Sequence, residues 1–434
     1  MFRATSFTFL GYKINKKSSN VTFTYKVKFK SGVVHTFTDK ILLEHVPKDA
    51  WDKIPPQILK NTLEALLLML GINYWCVFPT QNIRIAGFTL TKEQADFWNS
   101  MYLNGLGEFF YEMRMDFHGL IDFPYEQNKT AKQPVAHPRR ERALVLNGAG
   151  KDSILSAEIL KESNIPFDYF AFDPTPAHKK IGALIGARTV RVSRKRDWLM
   201  EFISGLKMVS SSYPSVSTFT FVAALLAELL DYGTIVFSNE RSADIGNFIY
   251  LGLPVNHQWC KSSEAEKMTN DYIQRYITPD IKSMSLLRTY SELDIVRRFS
   301  AHTKYLDHVT SCNMYFWLPK IQQYFTRKSY WCTRCPKCVF LFACFSAFLP
   351  KEKVLSMFGN NLYEDKKLLP LFRSILGIEG FKPLDCVGEP EEMILAMHYA
   401  DESGQYKDTE AIKIFREHFK DFDFKSAEKK VFTT

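Results

Sequence analysis

Six consecutive residues, Gly148-Ala149-Gly150-Lys151-Asp152-Ser153, carry the densest chemistry in this chain. They follow a short apolar run, Ala143-Leu-Val-Leu-Asn147, and lead into a stretch with helical spacing. Small residues between a strand and a helix let backbone N–H groups and the helix N-terminus converge on one spot, which suits a phosphate. The run is not a Walker A loop, because Asp152 follows Lys151 where Ser or Thr is required and Val145 stands where the first Gly belongs. It is not a dinucleotide fingerprint either, since Ser153 occupies the third glycine position. Ala149 fits such a loop if its φ stays negative.

Cys332-x-x-Cys335-x-x-Cys338 places three thiols within seven residues, and Cys312 can supply a fourth. Four soft thiolates suit a closed tetrahedral zinc site that pins a loop in place. The plainer reading of a buried thiol is a small hydrophobe, which is how Cys76 and Cys344 read in their apolar surroundings. A third group, Asn256-His257-Gln258-Trp259-Cys260-Lys261-Ser262, is dense in side chains that hydrogen-bond or move protons. His257 leads the acid/base candidates because its unperturbed pKa of about 6.5 lies near working pH. Cys260 and Cys386 are thiol partners for it, and nothing in the sequence chooses between them. Asp385, Glu389, Glu391 and Glu392 are further carboxylates, with Glu391 and Glu392 read as the solvated start of a helix at Pro390. In Ser238-Asn239-Glu240-Arg241, Glu240 can bind a metal and Arg241 a carboxylate, or the two form a surface ion pair.

The Gly148–Ser153 loop resembles the SGGxDS PP-loop of ATP pyrophosphatases, with Gly148 in place of the Ser and Ala149 in place of the first Gly. Leu287-Arg288-Thr289-Tyr290-Ser291-Glu292-Leu293-Asp294-Ile295-Val296, followed by Cys312 and the CxxCxxC run, is similar to 7-cyano-7-deazaguanine synthase, where the corresponding four cysteines hold zinc. Ser238-Asn-Glu-Arg-Ser-Ala-Asp-Ile-Gly-Asn247, Val255-Asn-His-Gln-Trp-Cys-Lys-Ser262, Trp331-Cys-x-x-Cys-Pro-Lys-Cys-x-Phe340 and Asp385-Cys-Val-Gly-Glu389 look like UDP-N-acetylmuramoyl-L-alanyl-L-glutamate epimerases. That resemblance runs from about Gly105-Leu-Gly-Glu108 to Glu392, and the family also matches in length and in its N-terminal extension.

The resemblance implies inversion of the terminal L-Glu of UDP-N-acetylmuramoyl-L-Ala-L-Glu, with ATP cleaved to AMP and pyrophosphate and Mg²⁺ as cofactor. Its residues carry over as follows. Gly148, Ala149, Gly150, Lys151, Asp152 and Ser153 would form the pyrophosphate pocket, with the Lys151 side chain free to point to solvent. Asp152 would orient Mg²⁺ or cap the helix, and Asp173 would accept from ribose or adenine or simply turn the chain. His257, Cys260, Glu240 and Cys386 would carry the proton chemistry. Ser238, Asn239, Arg241, Asn247, Asn256, Gln258, Lys261 and Ser262 would hold substrate, and Cys312, Cys332, Cys335 and Cys338 a structural Zn²⁺. The implied partners are the UDP-linked muramoyl dipeptide and a ligase that adds L-Glu to muramoyl-alanine. The alternative is a PP-loop enzyme acting on a nucleobase or tRNA, which the cysteines and a net charge of +9 favour. Against it, no basic run is interleaved with aromatics, and Arg139–Arg142 is too short to serve, so nucleic acid is not the expected partner. A nucleotide-binding module without catalysis is a third reading.

These residues need a scaffold, and the pattern supplies one. Val21–Phe29 alternates apolar and polar, Ser31-Gly32 turns the chain, and Val33–Phe37 pairs back as a hairpin. Helices follow at about Pro56–Leu70 and Lys92–Leu103. From Ala143 onward, apolar runs at Ala143–Asn147, Phe167–Phe172, Thr189–Ser193 and Thr234–Ser238 alternate with helical stretches at about Ser153–Glu162, Ala177–Ile185 and Val216–Leu230. Such alternation predicts a parallel sheet with ligands at the carboxyl ends of its strands. The expected fold is α/β: a PP-loop parallel-sheet core (adenine nucleotide alpha-hydrolase-like) at 143–310, an N-terminal α+β domain at 1–127, a linker at 128–142 and a cysteine-cluster, mostly helical C-terminal region at 311–434. The tail Asp401–Thr434 reads as charged, helical and peripheral.

Bulk composition agrees with a globular chain. Of 434 residues, 46% are hydrophobic and 24% charged, and the positive balance reads as ordinary surface lysine. The longest apolar run, Val339–Leu349, is about half what spans a bilayer. Met1-Phe-Arg-Ala-Thr-Ser lacks the apolar core of a signal peptide, so a cytoplasmic protein is expected. Eight cysteines in so long a chain suggest metal or thiol chemistry over disulfides.

Overall fold

Apolar–polar alternation, cleanest in the second, makes three long antiparallel strands, β1 (Ala4–Asn15), β2 (Asn20–Phe29) and β3 (Val34–Leu43), with β1 shifting register twice against β2. The computed structural model describes residues 4–206, 212–317 and 330–432. Phe7, Phe9, Val21, Phe23, Tyr25 and Val27 are buried, and the apolar helix Pro56–Trp75 packs on them. That helix comes close enough that a Cβ on Gly71 would lie 2.3 Å from the Phe9 ring, so only glycine fits there. Tyr25 adds a hydroxyl bond to the Leu67 carbonyl at 3.1 Å.

The remaining strands are short: β4 (Ile83–Ile85), β5 (Ala143–Leu146), β6 (Phe167–Phe172), β7 (Thr189–Lys195), β8 (Thr234–Phe237) and β11 (Lys282–Ser285), with β9 (Phe248–Tyr250) and β10 (Leu253–Val255) forming a separate hairpin. The first hairpin does not stand apart from the parallel strands. β3 runs six residues beyond the expected Phe37 and pairs antiparallel with β7, giving one nine-stranded sheet of order β11-β8-β5-β6-β7-β3-β2-β1-β4. Arg194 on β7 stitches this junction through the buried Asp39 carboxylate of β3 and through Asn73 Oδ1 at 2.6 Å. A charge pair this deep is tolerable because both partners are also hydrogen-bonded.

Most strand pairings are parallel, and the chain order places a crevice. From β5 the chain steps to β6 and β7 on one side, then returns to β8 and β11 on the other. The carboxyl ends of β5 and β8 therefore lie side by side at a topological switch point, where open α/β sheets bind ligands. Helices Glu292–Ser300, Pro336–Ser346 and Pro390–Glu402 build a second core against this half. The tail is helical as its pattern requires, yet it is not peripheral. Ala411, Ile412, Phe415, Ala427 and Val431 are buried in that second core, because the charged residues occupy only one face of each helix. All eight cysteines are free. Among the described residues no helix is long and apolar enough to cross a membrane.

Candidate active site

The glycine-rich run leaves β5 and becomes a helix at Lys151, with Gly150 as the N-cap residue. Ala149 departs from its expected backbone. Its φ is +55°, so the methyl group sits in the left-handed region that costs an L-residue roughly 1–2 kcal/mol. Two hydrogen bonds hold it there: its N–H donates to Asn147 Oδ1 at 2.9 Å, and its carbonyl accepts from Thr310 N at 3.2 Å. Gly150 is equally constrained, since a Cβ would lie 2.9 Å from Ser311 Oγ. Ala149→Gly is expected to raise stability by ~0.5–1 kcal/mol, the relief of φ strain less the added freedom of the unfolded chain. Urea unfolding checks this, and a destabilised variant would contradict the left-handed geometry.

Lys151 does not face solvent. Its side chain is fully buried, with the ammonium 2.5 Å from Asp152 and in contact with Glu292. Glu292 also accepts Lys337 at 2.8 Å, so one buried carboxylate lies between two buried ammonium groups. Burial opposes charge on each, but the mutual attraction prevails: Glu292 is held well below, and Lys151 and Lys337 above, their ordinary ranges. Asp152 lies in the first helical turn and makes no cap, which leaves its carboxylate beside the loop. Ser153 Oγ donates to Gly150 O at 3.1 Å. Asp173, at the end of β6, turns the chain with φ +45° and accepts from Arg194 N at 3.1 Å.

Three loops assemble a charged thiol beside this crevice. Lys261 Nζ stands 3.0 Å from Cys386 Sγ and 3.3 Å from Gln258 Oε1. His257, Asp385 and Cys386 bring their donor atoms within 4.8 Å of one another. Nδ1 of His257 meets Glu108 Oε2 at 2.6 Å, and Asp385 Oδ1 accepts from Cys386 N at 2.7 Å and Asn313 Nδ2 at 2.6 Å. Burial disfavours a thiolate, yet the Lys261 ammonium and the His257 ring lower the Cys386 pKa to about 6. Burial likewise disfavours an imidazolium, yet Cys386 and Glu108 raise the His257 pKa to about 10. The pair therefore rests as thiolate and imidazolium at neutral pH. The neighbouring Cys260 is pushed up by burial and stays a thiol. Alkylation of Cys386 by iodoacetamide, followed on its own peptide, should rise with a midpoint near pH 6. In Lys261→Met the midpoint should move toward the ordinary thiol value of about 8.5, whereas a wild-type midpoint already at 8.5 would remove the charged pair.

Other expected residues fall into place differently. Glu240 is buried and accepts from Ser242 Oγ and Ala243 N, capping the turn Arg241–Asp244. Burial and the nearby Glu292 carry its pKa up to about 7. That turn swings Arg241 out of the crevice, where its guanidinium donates to the carbonyls of Lys430 and Val431. Arg288 takes the inner position, donating to Glu240 O at 3.1 Å, Lys261 O at 2.7 Å and Glu266 Oε2 at 2.9 Å. Asn247 donates to the carbonyls of Lys382 and Pro383 and accepts from His257 N; Asn256 donates to Ala243 O; Ser262 caps the helix Ser263–Tyr276. These three hold the loops in register. Ser238 Oγ meets Ser156 Oγ at 2.8 Å, which ties the end of β8 to the helix Lys151–Glu162, and Asn239 reaches Glu266 at 3.5 Å. Glu392 is not solvated: it is buried and accepts from Leu293 N and Glu389 N, and burial raises its pKa to about 7.

Cys312, Cys332, Cys335 and Cys338 place their four sulfurs within 4.8 Å of one another, with Cys332 and Cys338 3.7 Å apart. A tetrahedral zinc with Zn–S bonds of about 2.3 Å separates its sulfurs by about 3.8 Å, so the cage fits that ion. Cys76 and Cys344 lie apart from it, buried in apolar cores as expected.

These features define a class, an α/β protein in which a glycine-rich loop opens a helix at the switch point of one sheet and a buried cysteine stands against a lysine and a histidine beside it. Residues 1–286 match the MurL N-terminal domain model and residues 308–430 the MurL C-terminal domain model, and the chain belongs to the MurL family. Among similar proteins is a UDP-N-acetyl-alpha-D-muramoyl-L-alanyl-L-glutamate epimerase of a Micromonospora species, 30% identical over 95% of this chain and 90% of the relative. Another, of the same name from Xanthomonas oryzae pv. oryzae, is 31% identical over 82% of this chain and 78% of the relative.

Proposed function

We propose that this chain inverts the terminal L-Glu of UDP-N-acetylmuramoyl-L-Ala-L-Glu through an acyl-adenylate. The relatives' names support the substrate and the epimerisation, and the observation that carries the chemistry is Cys386 Sγ at 3.0 Å from Lys261 Nζ with His257 beside it. A free α-carboxylate resists deprotonation at the neighbouring carbon, because a second negative charge would build beside the first. Attack of the carboxylate on the α-phosphorus of ATP, with pyrophosphate leaving, removes that charge and lets the carbonyl accept the electron pair. The Cys386 thiolate then takes the α-proton, Cys260 returns one on the other face, and water releases AMP.

The backbone of Gly148–Ser153 would bind the phosphates, and Asp152, in the first turn of the helix beside the loop, would orient Mg²⁺, which when bound neutralises phosphate charge. The four cysteines would hold a structural Zn²⁺. The substrate is the product of a ligase that adds L-Glu to muramoyl-alanine, which makes that ligase the functional partner. The test is pyrophosphate release from ATP and Mg²⁺ with the muramoyl dipeptide in D₂O, read with mass analysis of the glutamate. Pyrophosphate with one deuterium at the α-carbon is expected. Neither product from folded protein would sink the proposal and turn attention to nucleobase substrates.

A further inference from the structure

We propose that Lys337 and Thr310 are positioning residues that carry the geometry of the four-cysteine cluster to the phosphate loop, so that affinity for ATP depends on the cluster. This rests on the reading of the loop as the ATP site. Two separate connections support it. In the first, Thr310 N donates to the carbonyl of Ala149, the residue held at φ +55°. Thr310 in turn belongs to the cluster: its hydroxyl donates to Tyr330 O at 2.8 Å and accepts from Cys312 N at 3.2 Å, and Cys332 N donates to Cys312 Sγ at 3.3 Å. Ser311 closes on Gly150 from the same segment, leaving no room for a Cβ.

The second connection runs through charge. Lys337 lies between Cys335 and Cys338, so the cysteine cage sets where its side chain starts. Its ammonium grips Glu292, and Glu292 grips Lys151 at the first turn of the phosphate-loop helix. One arm therefore holds the strained backbone of the loop, and the other holds the helix behind it. A left-handed alanine has a relaxed alternative at negative φ, and losing either arm lets the loop take it. The amides aimed at phosphate would then diverge.

The test uses the full chain as wild type, Lys337→Met, Lys337→Arg and Cys335→Ser. Amide hydrogen exchange is followed without nucleotide, and KM for ATP and for the muramoyl dipeptide is measured separately. In Lys337→Met and Cys335→Ser, exchange across residues 147–153 should quicken about tenfold, the loss of one charge-assisted bond, with β6 and β7 unchanged. Lys337→Met should raise the KM for ATP by about the same factor and leave that for the dipeptide within about twofold, and Lys337→Arg should restore it. Unchanged exchange at 147–153 in folded Lys337→Met would overturn the proposal. Should Cys335→Ser not fold, wild-type protein stripped by a zinc chelator takes its place with the same readout. A wild type that never responds to ATP would sink the ATP reading alone, and the exchange result would still decide the coupling.

Discussion

In Cys386→Ser protein, exchange of the glutamate α-proton with solvent should fall by roughly 10²–10⁴-fold, while pyrophosphate release continues. Serine fills nearly the same space, so Lys261, His257 and Asp385 keep a partner of similar size at that point. It does not supply the base, because a hydroxyl stays protonated where the thiol ionises at about 6. In the proposed mechanism adenylation draws on the Gly148–Ser153 loop, which the substitution does not touch. The two steps separate in one tube: pyrophosphate forms and deuterium does not enter the α-carbon. Deuterium entering at the wild-type rate would remove Cys386 from the mechanism.

Glu292→Gln should cost about 3–5 kcal/mol, the usual penalty for deleting one partner of a buried ion pair. Glu292, Lys151 and Lys337 are all almost completely buried, so the variant leaves two ammonium groups with no carboxylate between them. Only Asp152 remains beside Lys151. The pH dependence follows from the depressed carboxyl. Its contribution is complete above the unfolded value of about 4.3 and is lost as pH falls toward the lower folded value. Wild type and variant should therefore differ most near neutrality and converge in acid. Urea midpoints across that range provide the check, and a gap that stays constant down to pH 3 would show that Glu292 is not the charged centre of the cluster.

Periodicity made much of the scaffold legible. The β2 alternation, the apolar runs of β5 to β8 and the helices between them stand within a few residues of expectation, because each buries a face whose period is local. β11 was invisible: Lys282-Ser-Met-Ser285 has no apolar run, and only its pairing with β8 makes it a strand. The union of the two halves of the sheet was equally hidden, since β3 joins β7 across about 150 residues. At the site, residue types were readable and partners were not. His257, Lys261 and Cys386 could be named as chemistry-bearing, but the contact that arms the thiol spans 125 positions. Glu108 stands inside the motif Gly105-Leu-Gly-Glu108 without any sign in the sequence that it faces His257. Glu292 and Lys337 stood inside family motifs without any sign that they meet, because a buried charge is recognised only by its counter-charge.

The thiol and the two cations that ionise it belong to different parts of the chain, with His257 and Lys261 in the first matched region and Cys386 in the second. During synthesis Cys386 emerges as an ordinary cysteine with a pKa of about 8.5, mostly protonated and slow toward electrophiles. It becomes a nucleophile only when its loop docks against a half that was made earlier. Fragments that end before residue 386, or begin after 261, carry no armed thiol at all. A misfolded or truncated copy therefore lacks the armed thiol, and alkylation of the Cys386 peptide below neutral pH, where ordinary thiols stay protonated, reports the fraction of molecules that have closed correctly.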